Sequence, residues 1–167
     1  MSSLTQEQEI WLQAWLNKWG AWIYTERIEK RQSSVIAEYI SKVKPFSYPS
    51  REKCNDDQGL LINAVINLLK LVDEIAFHLI VARYAFCLSD NKIASGYRVK
   101  VKPRIMPTRA GQSDYRKPSY RTCLREVKSI FKRAEFFIYQ HVINELQKIE
   151  NKSVDKKCVI RSLTDLA

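Results

Sequence analysis

The sequence predicts an all-α protein, and three observations carry that reading. Glycine and proline are scarce, at 4 and 5 in 167 residues, which disfavours a turn-rich β fold. Apolar residues recur at helical spacing near the start, between Leu60 and Leu88, and again from Cys123 onward. Residues that favour helix starts stand ahead of the later stretches: Asp56 and Asp57, Ser89, and Ser119. The expected architecture is one helical domain over residues 1–150. It contains a helix-turn-helix at about 89–133, interrupted by a long basic loop at 97–118, and a long C-terminal helix, with a tail at 151–167.

Residues from about Thr5 to Arg31 read as an amphipathic helix. Trp11, Trp15, Trp19 and Trp22 share one broad face with Leu12, Leu16 and Ile23. That face either packs on the core or docks a partner, since Trp is common in interface hot spots. Gly20 inside the pattern suits close packing. Ser33 or Ser34 caps a short helix with Val35, Ile36, Tyr39 and Ile40, and Pro45, Pro49 and Ser50 mark a loop from Lys44 to Lys53.

Asp56 or Asp57 opens the next helix. Leu60–Leu88 is the oiliest part of the chain, and Asp73 and Glu74 mark a break in it. Val65, Ile66, Leu69, Val72, Phe77, Ile80 and Val81 are the expected core, and His78 among them is an expected core histidine.

The next helix runs from Ser89 to Ser95 and ends at Gly96, where positive φ is tolerated. The segment Tyr97–Pro118 is far longer than the turn of a compact helix-turn-helix. Alternation at Val99, Lys100, Val101 and Lys102 predicts a β-hairpin wing there, or else a basic arm or an unordered loop. Ser119 then caps a helix that continues through Phe131, Phe137, Val142 and Ile149, roughly 45 Å long at 1.5 Å per residue. It breaks near His141 or packs its distal half on the Trp-rich helix, and the polar tail after Glu150 frays.

Charge singles out the same region. The chain carries 28 Lys and Arg against 18 Asp and Glu, a net +10. Between Arg83 and Arg133 there are fourteen cations and only Asp90, Asp114 and Glu126 against them, so the excess is local. Arg121, Arg125, Lys128 and Lys132 fall on one helical stripe, with Cys123, Leu124, Val127, Ile130, Phe131 and Ala134 on the other side. One face docks on the domain, and the other meets phosphates and base edges of double-stranded DNA. The expected DNA-contacting residues are Lys92, Ser95, Lys100, Lys102, Arg104, Ser119, Tyr120, Arg121, Thr122, Arg125, Lys128 and Lys132. A solvated basic helix without a partner is the plain alternative.

Other chemistry is poorly served. Cys54, Cys87, Cys123 and Cys158 are scattered, without the spacing of a zinc site. No metal, cofactor or small-molecule substrate is expected. Isolated thiols fit a reducing cytoplasm. The longest uncharged run, Gln58–Leu69, interrupts no bilayer because it is too short to cross one. No signal peptide is visible.

Several pieces, taken in order, resemble one family: the late-gene antitermination Q proteins of lambdoid bacteriophages, in the branch of phages 21 and P22. They are Trp19, Gly20, Ala21 and Trp22; Ser33, Ser34, Ile36 and Ala37; Pro49, Ser50, Cys54, Asp56, Asp57 and Gly59; and the run from Tyr84 to Ala94. The resemblance spans roughly Leu16 to Val142. It implies an all-helical, non-enzymatic protein whose helix-turn-helix resembles the promoter-reading domain of sigma factors. It also implies binding to a late-promoter DNA element, loading onto host RNA polymerase in the bacterial cytoplasm, and passage through terminators. The long Tyr97–Pro118 segment departs from the family's short turn.

Two other functions fit parts of the sequence. A repressor would use the same helix-turn-helix without touching polymerase. A nuclease would gather Asp56, Asp57, Asp73 and Glu74 around magnesium, although Asp56 and Asp57 also suit a helix N-terminus.

Overall fold

The computed structural model describes residues 4–23, 51–107 and 113–164. Five helices and one hairpin make up these segments: α1 (Gln6–Ile23), α2 (Asp56–Val72), α3 (Glu74–Ile80), α4 (Asp90–Lys100), β1 (Arg104–Pro107), β2 (Ser113–Arg116) and α5 (Tyr120–Thr164). A π-helical turn, Val81–Ala85, continues α3. The expected helix around Val35–Ile40 and the loop before Pro49 lie outside the described residues.

Helices α1, α2 and α3 start where side chains satisfy free N–H groups. Thr5 and Gln8 exchange hydrogen bonds at 3.0 and 3.3 Å ahead of α1, a capping box. Asn55, rather than Asp56 or Asp57, caps α2: its Oδ1 accepts from the Gln58 N–H at 2.8 Å. Asp56 and Asp57 occupy the first turn behind it. Asp73 ends α2 and caps α3 through the Ala76 N–H at 2.9 Å, which is the expected break.

The core collects the apolar stripes of all five helices. Leu12, Leu16, Trp19 and Ile23 of α1 meet Ile62, Val65, Ile66 and Leu69 of α2, and Phe77 and Ile80 of α3. Val127, Phe131, Ala134, Ile138 and Val142 of α5 complete it. The Trp-rich face is therefore largely a packing face: Trp19 and Trp22 are buried and Trp11 and Trp15 half-buried. Two expected core residues lie elsewhere. Val72, beside the Asp73 corner, is 71% exposed. His78 is half-exposed, its Nε2 3.6 Å from Glu74 one turn earlier.

α5 is a single helix of 45 residues, about 67 Å at 1.5 Å per residue. It does not break at His141, and it continues as helix where the tail was expected to fray. Tyr139 on its middle turns meets Trp11 of α1 edge-on, with centroids 5.7 Å apart, so the helix packs back on the Trp-rich face.

The π turn is the tightest joint. Its Phe86 N–H bonds back five residues to Val81. Gly20 of α1 lies against it so closely that a Cβ there would sit 2.0 Å from the Tyr84 carbonyl oxygen. The Tyr84 and Ala85 carbonyls also accept from the Arg51 guanidinium, at 2.9 and 3.3 Å. Tyr84 donates its hydroxyl to buried Glu135 of α5 at 2.7 Å. Arg83 stands 3.6 Å from Glu135, 3.8 Å from Asp90 of α4, and 4.5 Å over the Phe131 ring. Burial pushes the Glu135 carboxyl above its usual value of 4.5, against the Tyr84 hydrogen bond and the Arg83 charge, which pull it down. Burial, with Glu135 beside it, also pushes the Tyr84 hydroxyl up.

Gly20→Ala, which in an open helix would stabilise by about 1 kcal/mol, is expected to destabilise by ~2 kcal/mol or more through overpacking; urea denaturation checks the sign. The raised Glu135 pKa means that the native state binds this proton more tightly than the unfolded chain. Its contribution to stability is therefore present below about 4.5 and declines as pH rises through the higher native value. Glu135→Gln is expected to remove that decline, read by urea melts between pH 4 and 7.

Candidate nucleic-acid interface

The basic region is built on α4, the hairpin and the first turns of α5. α4 is longer than expected. It passes through Gly96 and ends at Val101, whose N–H bonds to the Tyr97 carbonyl. Pro103 lies two residues on and keeps Lys102 out of the helical region, so the helix cannot run further. Val99 and Lys100 thus belong to the helix, and the hairpin comes later. Its register is Arg104 to Arg116, Ile105 to Tyr115, Met106 to Asp114 and Pro107 to Ser113. Arg109 lies outside the described residues. Ser89 takes the N-cap position of α4 without a side-chain cap bond.

α5 begins after buried Pro118. Ser119 caps it: the Thr122 N–H donates to its Oγ at 3.2 Å, and the Ser119 and Thr122 hydroxyls are 2.9 Å apart. Cys123, Val127, Ile130, Phe131 and Ala134 are buried, and Leu124 is half-buried. Arg121, Arg125, Lys128 and Lys132 are all exposed on the opposite stripe. They run over about 16 Å of helix, comparable with a major groove roughly 12 Å wide.

Three polar ties fix α4 and the hairpin on α5. The Tyr120 hydroxyl donates to Asn91 Oδ1 at 2.9 Å, joining the first turns of the two helices. Glu126 receives both the Tyr97 hydroxyl, at 3.3 Å, and the Arg104 guanidinium. Lys117 donates to the Val99 carbonyl at 2.9 Å, a cation at the negative end of α4.

These ties divide the twelve expected residues. Arg121, Arg125, Lys128 and Lys132 form one free cationic stripe. Ser119, Tyr120 and Thr122 lie at its amino end, with their hydroxyls engaged in the cap or on Asn91. Ser95 is on the adjoining edge of α4, its hydroxyl donating to the Asn91 carbonyl at 2.9 Å. Arg98 lies on that same edge, seven residues after Asn91. The charge excess includes it, but only the true length of α4 places it on this edge. Lys92, Lys100, Lys102 and Arg104 instead line a groove between α3 and α4. Arg104 is spent on Glu126, which lies roughly 100° around α5 from Arg125.

Three of the four carboxylates weighed for catalysis have structural work, and Asp57 stands in the first turn of α2. Asp56 Oδ1 accepts from the Trp22 indole at 3.1 Å, Asp73 caps α3, and Glu74 faces His78. Among the described residues, no helix is long and apolar enough to cross a membrane.

If the Asn91–Tyr120 bond holds the two helices in register, Asn91→Ala and Tyr120→Phe remove one shared interaction. A double-mutant cycle is expected to give a coupling energy of about 0.5–1.5 kcal/mol. Additive effects would mean that the helices are aligned by apolar packing alone.

Comparison with known proteins agrees with this architecture. The profile of the family described as phage antitermination protein Q matches residues 9–110. The solved structure of transcription antitermination factor Q21 is 39% identical, covers 90% of this chain and 99% of its own, and superposes with a TM-score of 0.77. The same factor in complex with Q21-binding-element DNA gives 40% identity over 90% and 99% of the two chains, with a TM-score of 0.80. A crystal structure of the bacteriophage 21 Q protein gives 40%, 89%, 98% and 0.75 for the same measures. A comparison with curated proteins gave no match.

Proposed function

The chain belongs to the phage antitermination protein Q family, whose members are transcription factors without catalysis of their own, and we propose that it binds a late-promoter DNA element and acts on host RNA polymerase to carry it through terminators. The observation that carries the DNA half of this reading is the exposed stripe Arg121–Arg125–Lys128–Lys132 on α5. Its opposite face is buried, and its amino end is tied to α4. The polymerase half rests on family membership.

In this reading α4 and the first turns of α5 work as a helix-turn-helix, with the β1–β2 hairpin in place of a short turn. α5 is the recognition helix. Arg121 and Arg125 suit bidentate contacts to guanine, and Lys128 and Lys132 hold phosphates. Ser119, Tyr120 and Thr122 sit where the free N–H groups of the α5 amino terminus favour a phosphate. Ser95 and Arg98 flank them on α4. The Q21 complex with binding-element DNA, at 40% identity, supports assigning a similar ligand class to this chain.

Transcription in vitro tests the whole function: cognate late-promoter template, a downstream terminator, and host holoenzyme. Readthrough is expected to rise with the protein and only on templates with the late promoter. Reduced initiation without readthrough would replace antitermination by repression. At the interface, Arg121→Ala is expected to cost about 1–3 kcal/mol of discrimination against the wrong base. Lys128→Ala should weaken all duplexes alike and lower the salt slope by roughly one unit. Fluorescence anisotropy between 50 and 200 mM salt separates the two effects.

A further inference from the structure

We propose that the groove between α3 and α4 is a docking site for an acidic, amphipathic segment of a protein partner. The groove encloses about 590 Å³. Ile75, Leu79, Leu88, Ile93, Tyr97 and Val101 supply its apolar surface. Lys92, Lys100, Lys102 and Arg104 supply its charge, and among the described residues that line it none is acidic. Arg104 is paired with Glu126, but Lys92, Lys100 and Lys102 have no ion pair among the described residues. An occupant must therefore bring apolar anchors for the floor and carboxylates for the rim. Duplex DNA brings charge without the anchors.

Gly96 is the second observation. It stands inside α4, where glycine costs about 1 kcal/mol relative to alanine. Among the described residues nothing requires it, since a Cβ there would meet no atom within 4 Å. The missing side chain leaves the middle of the groove open to close approach. Lys92, Gly96 and Lys100 follow at steps of four along the rim, spanning about 12 Å. That length matches two turns of a helix laid in the groove, a known mode of peptide recognition. Ile75 within the groove is 53% exposed, and Leu71 and Val72 at the α2–α3 corner are 83% and 71% exposed.

The inference does not rest on the DNA reading, and one variant separates the two. Gly96→Leu fills the groove at a site with room and favours the helix, so its melting temperature is expected to match or exceed that of the parent protein. The probe is a fluorescein-labelled 16-residue helical peptide with leucines at i, i+3, i+4 and i+7 and glutamates flanking them. Its counterparts carry glutamine or lysine in place of glutamate. Binding is measured by anisotropy on the full chain. The glutamate peptide is expected to bind at least tenfold tighter than the glutamine peptide, and Gly96→Leu to weaken it at least tenfold. Affinity for the DNA element should stay within twofold. Equal binding to Gly96→Leu, no binding, or preference for the lysine peptide would overturn the proposal. A DNA affinity that falls with Gly96→Leu would assign the groove to the duplex instead. Self-association by sedimentation that Gly96→Leu abolishes would assign it to a second copy. Either result would overturn the proposal.

Discussion

The contact between the π turn and Glu135 stands where α1, α4, α5 and the segment before α2 meet. A buried carboxylate is costly unless it is paired and hydrogen-bonded. Here Tyr84 supplies the hydrogen bond at 2.7 Å and Arg83 the opposing charge at 3.6 Å. The same Arg83 reaches Asp90 at the start of α4. One residue after Tyr84, the turn offers its backbone to Arg51, and its other side takes the bare backbone of Gly20. α1, α4, α5 and the segment before α2 thus converge on five consecutive residues. The Tyr84 and Ala85 carbonyls are free to accept from a guanidinium because the helix ends at Ala85.

Orientation of the basic surface descends from that joint. Arg83 ties Asp90 in the first turn of α4 to the π turn, Asn91 holds Tyr120, and Glu126 holds Tyr97 and Arg104. The consequence is two surfaces with different chemistry. The α5 stripe is cationic and convex, as contact with a phosphate backbone requires. The α3–α4 groove is apolar at its floor and cationic at its rim. Charge alone does not distinguish them, because both draw on the same excess of Lys and Arg. Geometry does, because successive turns of α4 send Lys92 and Lys100 one way and Ser95 and Arg98 another.

Much of the fold was legible because burial and helical period agree in most of the chain. The Trp-rich face of α1, the break at Asp73, the cap at Ser119 and the α5 stripe all follow from local pattern. The misreadings have local causes too. Gly96 carries the signature of a helix end, but the packing of Ile93, Ala94 and Tyr97 carries α4 past it until Pro103 intervenes. Val72 and His78 follow the core period, yet they sit at a corner and on a groove wall, which periodicity does not register. Arg83 read as one more cation. Its pairing with Glu135 spans 52 residues of sequence, and no local pattern announces that contact. The hairpin's existence was visible as an option, but its register depends on where α4 stops.

Site-specific photo-crosslinking tests the central claim, that the α5 stripe and not the α4 groove rim meets DNA. A benzophenone amino acid is placed at Arg125 in one protein and at Lys100 in another, each is mixed with the late-promoter duplex, and both are irradiated. Strong crosslinking from position 125 with little from position 100 is the predicted result. Crosslinking from position 100 alone would contradict the account and move the DNA to the groove.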